Sequence, residues 1–338
     1  MNRNRLCTSG NRLFVGFPFL LILFTGCVVG PDYQAPQSEY QIRISEITYP
    51  ELRFEQTDLS RWWDVFNDPL LSSLISRAEQ NNLDLKIALA RIREARAVVG
   101  IADSGLYPVI DANGAISWGK ESENVNPLAT GEQTQYQLSA EAGWEIDLFG
   151  RIRRSIEAAA ADYQATWEEH RDVLISVRAE VAEAYLQIRT LQAQLLTARD
   201  NIASQRSMLE LTDIRYQNGL TSYLDVAQAT QILAATEAEL PLIRLQLAQA
   251  ISRVGVLLGE STDHLRRELE PPRLVSLPPQ DLAVGIPADR IRQRPDVRSA
   301  ERRLAAQTAR IGVATADLYP SFSLTGILGF SSLETGNF

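Results

Sequence analysis

The segment between Arg151 and Gln217 contains neither proline nor glycine, and its length limits what this chain can fold into. Apolar or small residues recur along it at steps of three and four, which places them on one side of an α-helix. The pattern persists for about eight heptads, which is typical of a coiled-coil helix rather than of a helix in a compact domain. At about 1.5 Å per residue, the predicted helix is roughly 100 Å long.

A second helix is predicted to follow and to return along the first. The break between them spans residues 218–222 and contains Gly219, the residue type that most often ends a helix in a left-handed turn. A second apolar seam at helical spacing begins directly after it. The sequence therefore predicts a helical hairpin over 150–258. Pro241 lies inside the returning helix, where a missing backbone hydrogen bond is expected to kink it.

The chain contains two copies of one structural unit. Residues 100–114 (GIADSGLYPVIDANG) and 312–326 (GVATADLYPSFSLTG) share their first and last glycines, an alanine and the sequence Leu-Tyr-Pro at a fixed offset of 212 positions. Such self-similarity indicates duplication of a supersecondary unit. By this offset Phe338 corresponds to position 126, so we expect the counterparts of residues 127 to about 258 to be absent from the second copy.

Segments of alternating polarity adjoin the helices. Residues 133–148 place Tyr, Leu, Ala, Trp and Ile at one parity and Gln, Ser, Glu and Asp at the other, which predicts a strand with one apolar and one polar face. Residues 108–118 and 321–330 show the same pattern. Such segments, with aromatic residues near their ends, are typical of transmembrane barrel strands, although a half-exposed soluble sheet has the same periodicity. The adjoining long helices favour the membrane interpretation.

The N-terminus resembles a bacterial lipoprotein signal. Three arginines precede an apolar run from Leu13 to Phe24, which is too short to cross a bilayer as a helix, and a Thr25-Gly26-Cys27 sequence follows. Cleavage before Cys27 would make it the acylated first residue of the mature protein, with acyl chains that anchor it in lipid. The alternative is a cleaved secretory signal that leaves Cys27 as an unmodified thiol.

Composition argues against two other classes of function. The net charge of -9 disfavours a nucleic-acid partner, because a surface that follows phosphates should be basic. The chain has two histidines, His170 and His264, and no motif that predicts a metal cluster, a phosphate-binding loop or a nucleophile with its base. We therefore expect no enzyme activity, no metal and no cofactor.

These patterns divide the chain into five predicted segments. They are a signal peptide (1–26), a lipid-anchored N-terminal segment (27–69), a first repeat of helix, two strands and helical hairpin (70–270), a proline-rich linker (271–286), and an incomplete second repeat with one helix and one strand (287–338). The helix that opens each repeat is predicted over about 70–104 and about 287–316.

The order of motifs resembles the TolC/OprM/NodT family of outer-membrane factors, over nearly the whole chain. The residues that carry the resemblance are Gly30-Pro31-Asp32-Tyr33, Trp62-Trp63 with Phe66-Asn67-Asp68-Pro69-Leu70, Trp144-Glu145-Ile146-Asp147-Leu148-Phe149-Gly150-Arg151, Gly219 to Ser222 with Leu224-Asp225-Val226, and Arg294-Pro295-Asp296-Val297.

The resemblance implies a mainly α protein with membrane β structure, a TolC-like fold. Coiled helical hairpins would form a periplasmic tunnel, and each protomer of a homotrimer would contribute transmembrane strands to one shared β-barrel. The implied function is a lipid-anchored channel in the outer membrane, the passive exit duct of a tripartite multidrug efflux pump. Its implied partners are a periplasmic membrane-fusion adaptor, an inner-membrane RND pump and, through acylated Cys27, outer-membrane lipid.

The rival interpretation is a lipid-anchored periplasmic adaptor, which also carries a long helical hairpin but acts as a structural connector. Adaptors combine their hairpin with soluble sheet modules. Here a strand with an apolar face runs directly into the helix at Leu148-Phe149-Gly150, and the unit is duplicated. Both features favour the channel.

Polar positions of the predicted strands are the candidate pore lining, and their acidic members predict mild cation selectivity. They are Asp111, Asn113, Gln135, Gln137, Glu141 and Glu145, with Asp147 at the strand end. Glu145 and Asp147 have an alternative role at the start of the long helix, where negative charge is favoured, and for Asp147 this is the preferred interpretation.

The hairpin tip is the candidate surface for docking the adaptor, as the resemblance implies. Its residues are Gly219, Leu220, Ser222, Leu224 and Asp225. The simpler role is a helix turn in which Ser222 caps the returning helix, and the two roles are compatible. The family's gate residues, at the tip of a second hairpin, would lie after Phe338.

Overall fold

The computed structural model describes residues 28–36, 52–53, 60–120, 122, 131–273, 282–283 and 291–337. The predicted signal peptide and Cys27 lie outside the described residues. Those that are described form two compact units. The first draws on Met1–Gln37, Arg93–Ala165 and Ser299–Phe338, and the second on Ser38–Ile92 and Thr166–Arg298.

The described residues form helices and strands along the chain. They are β1 (Leu52–Arg53), a 3-10 helix (Trp62–Phe66), α1 (Pro69–Asn81), α2 (Leu83–Ser104), β2 (Val109–Lys120), β3 (Glu132–Ile146), α3 (Arg151–Gln217), α4 (Tyr223–Leu258), α5 (Thr262–Leu269), β4 (Leu282–Ala283), α6 (Pro295–Ala316), β5 (Phe322–Ser332) and a 3-10 turn (Thr335–Asn337).

The predicted helical hairpin is confirmed. The first arm, α3, is helical over all 67 of its residues, and α4 returns over 36 residues and continues through Pro241. The returning helix ends at Gly259, whose φ of 64° is the left-handed conformation that glycine adopts without strain. None of the helices in the described part of the chain is both long enough and apolar enough to cross a membrane.

The core of the second unit lies where the hairpin arms meet α1 and α5. Val181, Tyr185 and Ile188 on α3 are almost fully buried, as is Val254 on α4. They pack in one cluster with apolar residues of α1 and α5, including Leu71, Leu74, Leu265 and Leu269. The largest fully buried side chains of both long helices therefore lie in this cluster, and this packing supports the long helices laterally.

The prediction of a single helix over about 70–104 is wrong, because the chain breaks at Asn82 into α1 and α2. Asn82 is buried and has an extended ψ of 134°. Its side-chain oxygen accepts a hydrogen bond from the backbone N–H of Leu85 at 3.0 Å, and its amide nitrogen donates to the carbonyl of Leu257 at 2.8 Å. Asn82 therefore caps α2 and fixes the break against α4.

The second copy breaks at the equivalent position. Arg294, which lies 212 residues after Asn82, is non-helical, and α6 begins at Pro295. The helix predicted over about 287–316 is thus interrupted as well. Residues 291–293 are helical, and 287–290 lie outside the described residues. The two copies share a break that their helical periodicity did not reveal.

The predicted strands form an antiparallel sheet with the order β2-β3-β5. Residues directly opposite each other share a face, and the register pairs Ile110 with Ala142 and Trp144 with Leu324 on one side. On the other side it pairs Asp111 with Glu141. The predicted separation into an apolar and a polar face is therefore confirmed. Val109 and Ile327 are apolar exceptions on the polar face, because Val109 shares the parity of Asp111 and Ile327 lies opposite Glu141.

Candidate functional sites

The polar face of the sheet brings together all six predicted pore-lining residues. Asp111 lies opposite Glu141, and the remaining four share their parity in β2 or β3. Gln135 donates a hydrogen bond from its amide to the hydroxyl of Ser331 on β5 at 2.9 Å, so the polar face extends onto the second copy. Two carboxylates in direct cross-strand opposition repel each other, which is unfavourable in a packed interior and tolerable beside water.

Two acidic residues at the end of β3 are engaged by the start of α3. Arg151 donates to both carboxylate oxygens of Glu145, at 2.9 and 2.7 Å. The carboxylate of Asp147 accepts hydrogen bonds from the backbone N–H groups of Ile152 and Arg153 at 3.1 and 3.0 Å. The preferred role of Asp147, stabilising the helix start, is therefore confirmed. Glu145 lies on the polar face with its charge offset by Arg151.

The hairpin tip is a tight turn with exposed apolar side chains. Gly219 has a φ of 73°, and a Cβ built on it would meet no atom within 4 Å. Leu220, Tyr223 and Leu224 are each about two thirds exposed, and the ring of Tyr223 lies 5.7 Å from that of Tyr216. Sequence reasoning overlooked Tyr223, although an aromatic residue at the first position of a returning helix was visible in the sequence.

A carboxylate organises the turn at this tip. Asp225 accepts hydrogen bonds from the hydroxyl of Thr221 and, at 3.0 and 2.9 Å, from the backbone N–H and hydroxyl of Ser222. These bonds, the one from Thr221 first, hold the pKa of Asp225 below its usual value. Ser222 and Asp225 form a capping box, so the predicted capping role of Ser222 is confirmed, with Asp225 as its reciprocal partner.

The segment just after the lipid-attachment candidate is held by the first unit, and we call residues 28–36 the N-terminal strap. Val29 donates its backbone N–H to the carbonyl of Phe149 at 3.2 Å. The hydroxyl of Tyr33 donates a hydrogen bond to Glu301 on α6 at 3.1 Å. Burial, and secondly this hydrogen bond, raise the pKa of Tyr33. The strap therefore contacts both the strand-to-helix junction of the first copy and the helix of the second copy.

Arg154 is the centre of the strap's hydrogen bonds. Its guanidinium donates to the carbonyls of Val29 and Gly30, both at 3.2 Å, and to the carboxylates of Asp32 and Glu157, both at 2.7 Å. Sequence reasoning identified Asp32 within a motif and overlooked Arg154. Arg154 is one of three arginines in the first four residues of α3, and nothing in the sequence distinguishes it from the other two.

Together these features define a class of protein. An antiparallel sheet with one apolar and one polar face is followed along the chain by a hairpin of two long helices, and a helix followed by a strand recurs in the second copy. This is the TolC-like architecture of outer-membrane channel subunits.

The comparisons with known proteins identify the family. The sequence model described as "Outer membrane efflux protein" matches residues 74–260. The chain belongs to the outer membrane efflux protein family, and like its relatives it is a protein of the outer membrane.

Individual relatives support the assignment. Nodulation protein T of Rhizobium leguminosarum bv. trifolii is 32% identical over 91% of this chain and 65% of its own length. The toluene efflux pump outer membrane protein TtgF of Pseudomonas putida is 34% identical over 93% and 67%. The solved structure of the outer-membrane channel OprN superimposes with a TM-score of 0.80 and 36% identity, covering 92% of this chain and 69% of that one. The chain thus spans about two thirds of the length of these relatives.

Proposed function

We propose that this protein is the channel subunit of a tripartite efflux pump and serves as the passive exit duct for drugs or other small molecules. The observation that carries the proposal is the sheet with its two faces, whose strand β3 leads through a four-residue junction into a 67-residue helix. An apolar face suits lipid and a polar face suits a water-filled lumen. Transport then needs no bond-making step, and the protein acts without enzyme activity or cofactor.

Closure of the pore requires further copies of the chain. Strands β2 and β5 lie at the edges of the sheet, and neither has a second strand partner among the described residues. Backbone groups in the hydrocarbon region must be hydrogen-bonded, so the edges must pair. In a homotrimer that shares one barrel, each edge strand pairs with an edge strand of a neighbouring protomer. The helical hairpins of the three protomers would then build the tunnel.

Two further roles are proposed, lipid attachment for the strap and adaptor docking for the hairpin tip. An acylated Cys27 would anchor the strap in outer-membrane lipid beside the junction at Phe149, which Val29 contacts. The exposed Leu220 and Leu224 at the hairpin tip would bind the helical hairpin of a periplasmic adaptor, which connects the duct to an inner-membrane RND pump. The six polar residues from Asp111 to Glu145 would line the lumen.

One experiment separates this function from that of a periplasmic adaptor. The protein is extracted from outer membranes in detergent, tested for heat-modifiable trimers on gels, and inserted into planar bilayers. We expect a trimer that conducts ions. A protein that is recovered without trimers and conducts nothing would favour the structural connector and contradict the duct.

A further inference from the structure

The second unit contains a cavity of about 410 Å³ that the exit-duct function does not use. It lies between α3, α4 and the segment that follows α5. Leu247 and Ile251, both buried, form an apolar floor, and the half-buried Ala248 lies between them on the same helix. The volume falls within the range of about 300–1,000 Å³ that is typical of small-molecule sites.

Three arginines from three different helices surround this floor. Arg199 belongs to α3, Arg244 to α4 and Arg266 to α5, and all three are exposed. In the described part of the chain none of them has an acidic partner within ion-pair distance. Glu270 is the single acidic residue among the lining residues, so the cavity carries an excess of positive charge in a chain with a net charge of -9.

Other arginines on the same two long helices are paired. Arg206 on α3 lies 2.7 Å from Glu237 on α4, and Arg253 on α4 lies 3.5 Å from Glu183 on α3. Cross-arm pairing is therefore available to this hairpin and is not used at the cavity. Three arginines with Glu270 as the one acidic residue of the lining leave like charges that repel one another, and an anion bound among them would reduce that repulsion.

The wall of the cavity is fixed in place by Gln192. Its amide nitrogen donates to the carbonyls of Leu269 and Glu270 at 2.7 and 3.0 Å, and its oxygen accepts a hydrogen bond from Arg189 at 2.7 Å. Arg189 in turn donates to the carbonyl of Pro271 at 3.0 Å. The segment after α5 is thereby attached to α3, and a preformed cavity loses little conformational entropy when it binds.

We propose that this cavity binds a single-chain anionic amphiphile, of which a fatty acid is the simplest form. Its carboxylate is bound by the guanidinium groups of Arg199, Arg244 and Arg266, which match carboxylate geometry and stay charged at every physiological pH. Its alkyl chain lies on Leu247 and Ile251. The buried apolar floor favours an amphiphile over a simple inorganic anion, which would leave that surface unused.

Binding is tested by isothermal titration of dodecanoate, below its micellar concentration, into the protein reconstituted in nanodiscs. We expect saturable binding that is at least tenfold weaker for dodecyltrimethylammonium, which carries the same chain and the opposite charge. The double variant Arg199→Gln/Arg244→Gln should weaken dodecanoate binding at least tenfold. Ala248→Phe, which fills the cavity from its floor, should abolish binding with all three arginines intact.

The matched control is Arg206→Gln/Arg253→Gln, which removes two arginines from the same helices outside the cavity. It should bind dodecanoate as the unmodified protein does. The proposal is overturned if dodecanoate does not bind, if the cationic analogue binds equally well, or if the control variant loses as much affinity as the cavity variant. Since the measurement involves no export, its failure would leave the duct function intact.

Discussion

Asp32 and Arg154 lie 2.7 Å apart and join the N-terminal strap to the first turn of α3. The two partners differ sharply in environment, because the Arg154 side chain is 6% exposed and that of Asp32 is 86% exposed. An ion pair with one partner in water contributes little by itself. The buried guanidinium, with its bonds to two backbone carbonyls, therefore contributes more to holding the strap than the carboxylate does.

We accordingly predict unequal effects for the two partners. Arg154→Lys places a single ammonium where four acceptors converge, and the lost charged hydrogen bonds should lower the free energy of unfolding of the first unit by about 1–3 kcal/mol. Asp32→Asn should cost less than about 1 kcal/mol. Urea denaturation measures the stabilities, and limited proteolysis should cleave residues 28–36 sooner in the lysine variant. Equal effects would show that the exposed ion pair dominates.

Gly312 and its repeat counterpart Gly100 should respond oppositely to alanine. A Cβ on Gly312 would approach the Arg154 side chain to 2.9 Å, and that side chain is fixed by its hydrogen bonds. A Cβ on Gly100 meets nothing within 4 Å. Gly312→Ala should therefore lower the free energy of unfolding by about 1–3 kcal/mol, because the added methyl group overpacks the site. Gly100→Ala should raise it by about 0.5–1 kcal/mol, because alanine has the higher helix propensity. Thermal melting of both variants provides the measurement, and shifts of the same sign would contradict the packing argument.

These two glycines also show what the sequence could and could not predict. The repeat offset identified them as equivalent, and periodicity alone predicted the hairpin over 150–258, the strand faces and the six polar positions on one face. A Cβ built on Gly30 of the strap would meet the backbone of Gly312. This close approach joins residues far apart in sequence, and a single sequence carries no signal for it. The break at Asn82 was missed because a buried asparagine that caps a helix leaves the apolar spacing around it nearly unchanged.

Arg77 on α1 connects two carboxylates near α5. It donates from Nε to Glu260 at 2.9 Å, contacts Glu260 again through Nη2, and donates from Nη1 to Glu268 at 2.9 Å. Arg77→Lys retains the positive charge but removes the planar guanidinium group, whose three nitrogens bond both Glu260 and Glu268. We predict a loss of about 1–2 kcal/mol in the free energy of unfolding of the second unit at neutral pH.

The same contact makes a prediction about pH. The hydrogen bond from Arg77 holds the pKa of Glu260 below its usual value. A carboxylate with a depressed folded pKa contributes stability that is complete above its unfolded pKa and is lost as pH falls through the folded value. Arg77→Gln should therefore flatten the decline in stability below about pH 4.5. Urea midpoints at pH 7, 5 and 3.5 provide the measurement, and parallel curves for the two proteins would contradict it.

Glu141 and Glu145 provide a matched pair for ion selectivity. Both lie on the polar face of β3, but Arg151 offsets the charge of Glu145 alone. If this face lines the lumen, Glu141→Gln should reduce cation preference at least twice as much as Glu145→Gln. Reversal potentials under a salt gradient in planar bilayers measure the preference. An unmodified channel that prefers anions would refute the acidic lining.

The hairpin tip is tested at its side chains, because any substitution at Gly219, with its φ of 73°, would strain the turn itself. Leu220→Asp/Leu224→Asp leaves the capping box of Ser222 and Asp225 in place and puts charge on the exposed apolar side chains that we propose dock the adaptor. Export of dyes or drugs in cells that contain the adaptor and pump should fall about tenfold or more, since an unpaired charge at the centre of an interface is costly. Leu211→Asp, at a similarly exposed position on α3, is the control, and trimers should remain intact in both. Unchanged drug resistance with the double variant would show that the adaptor docks elsewhere.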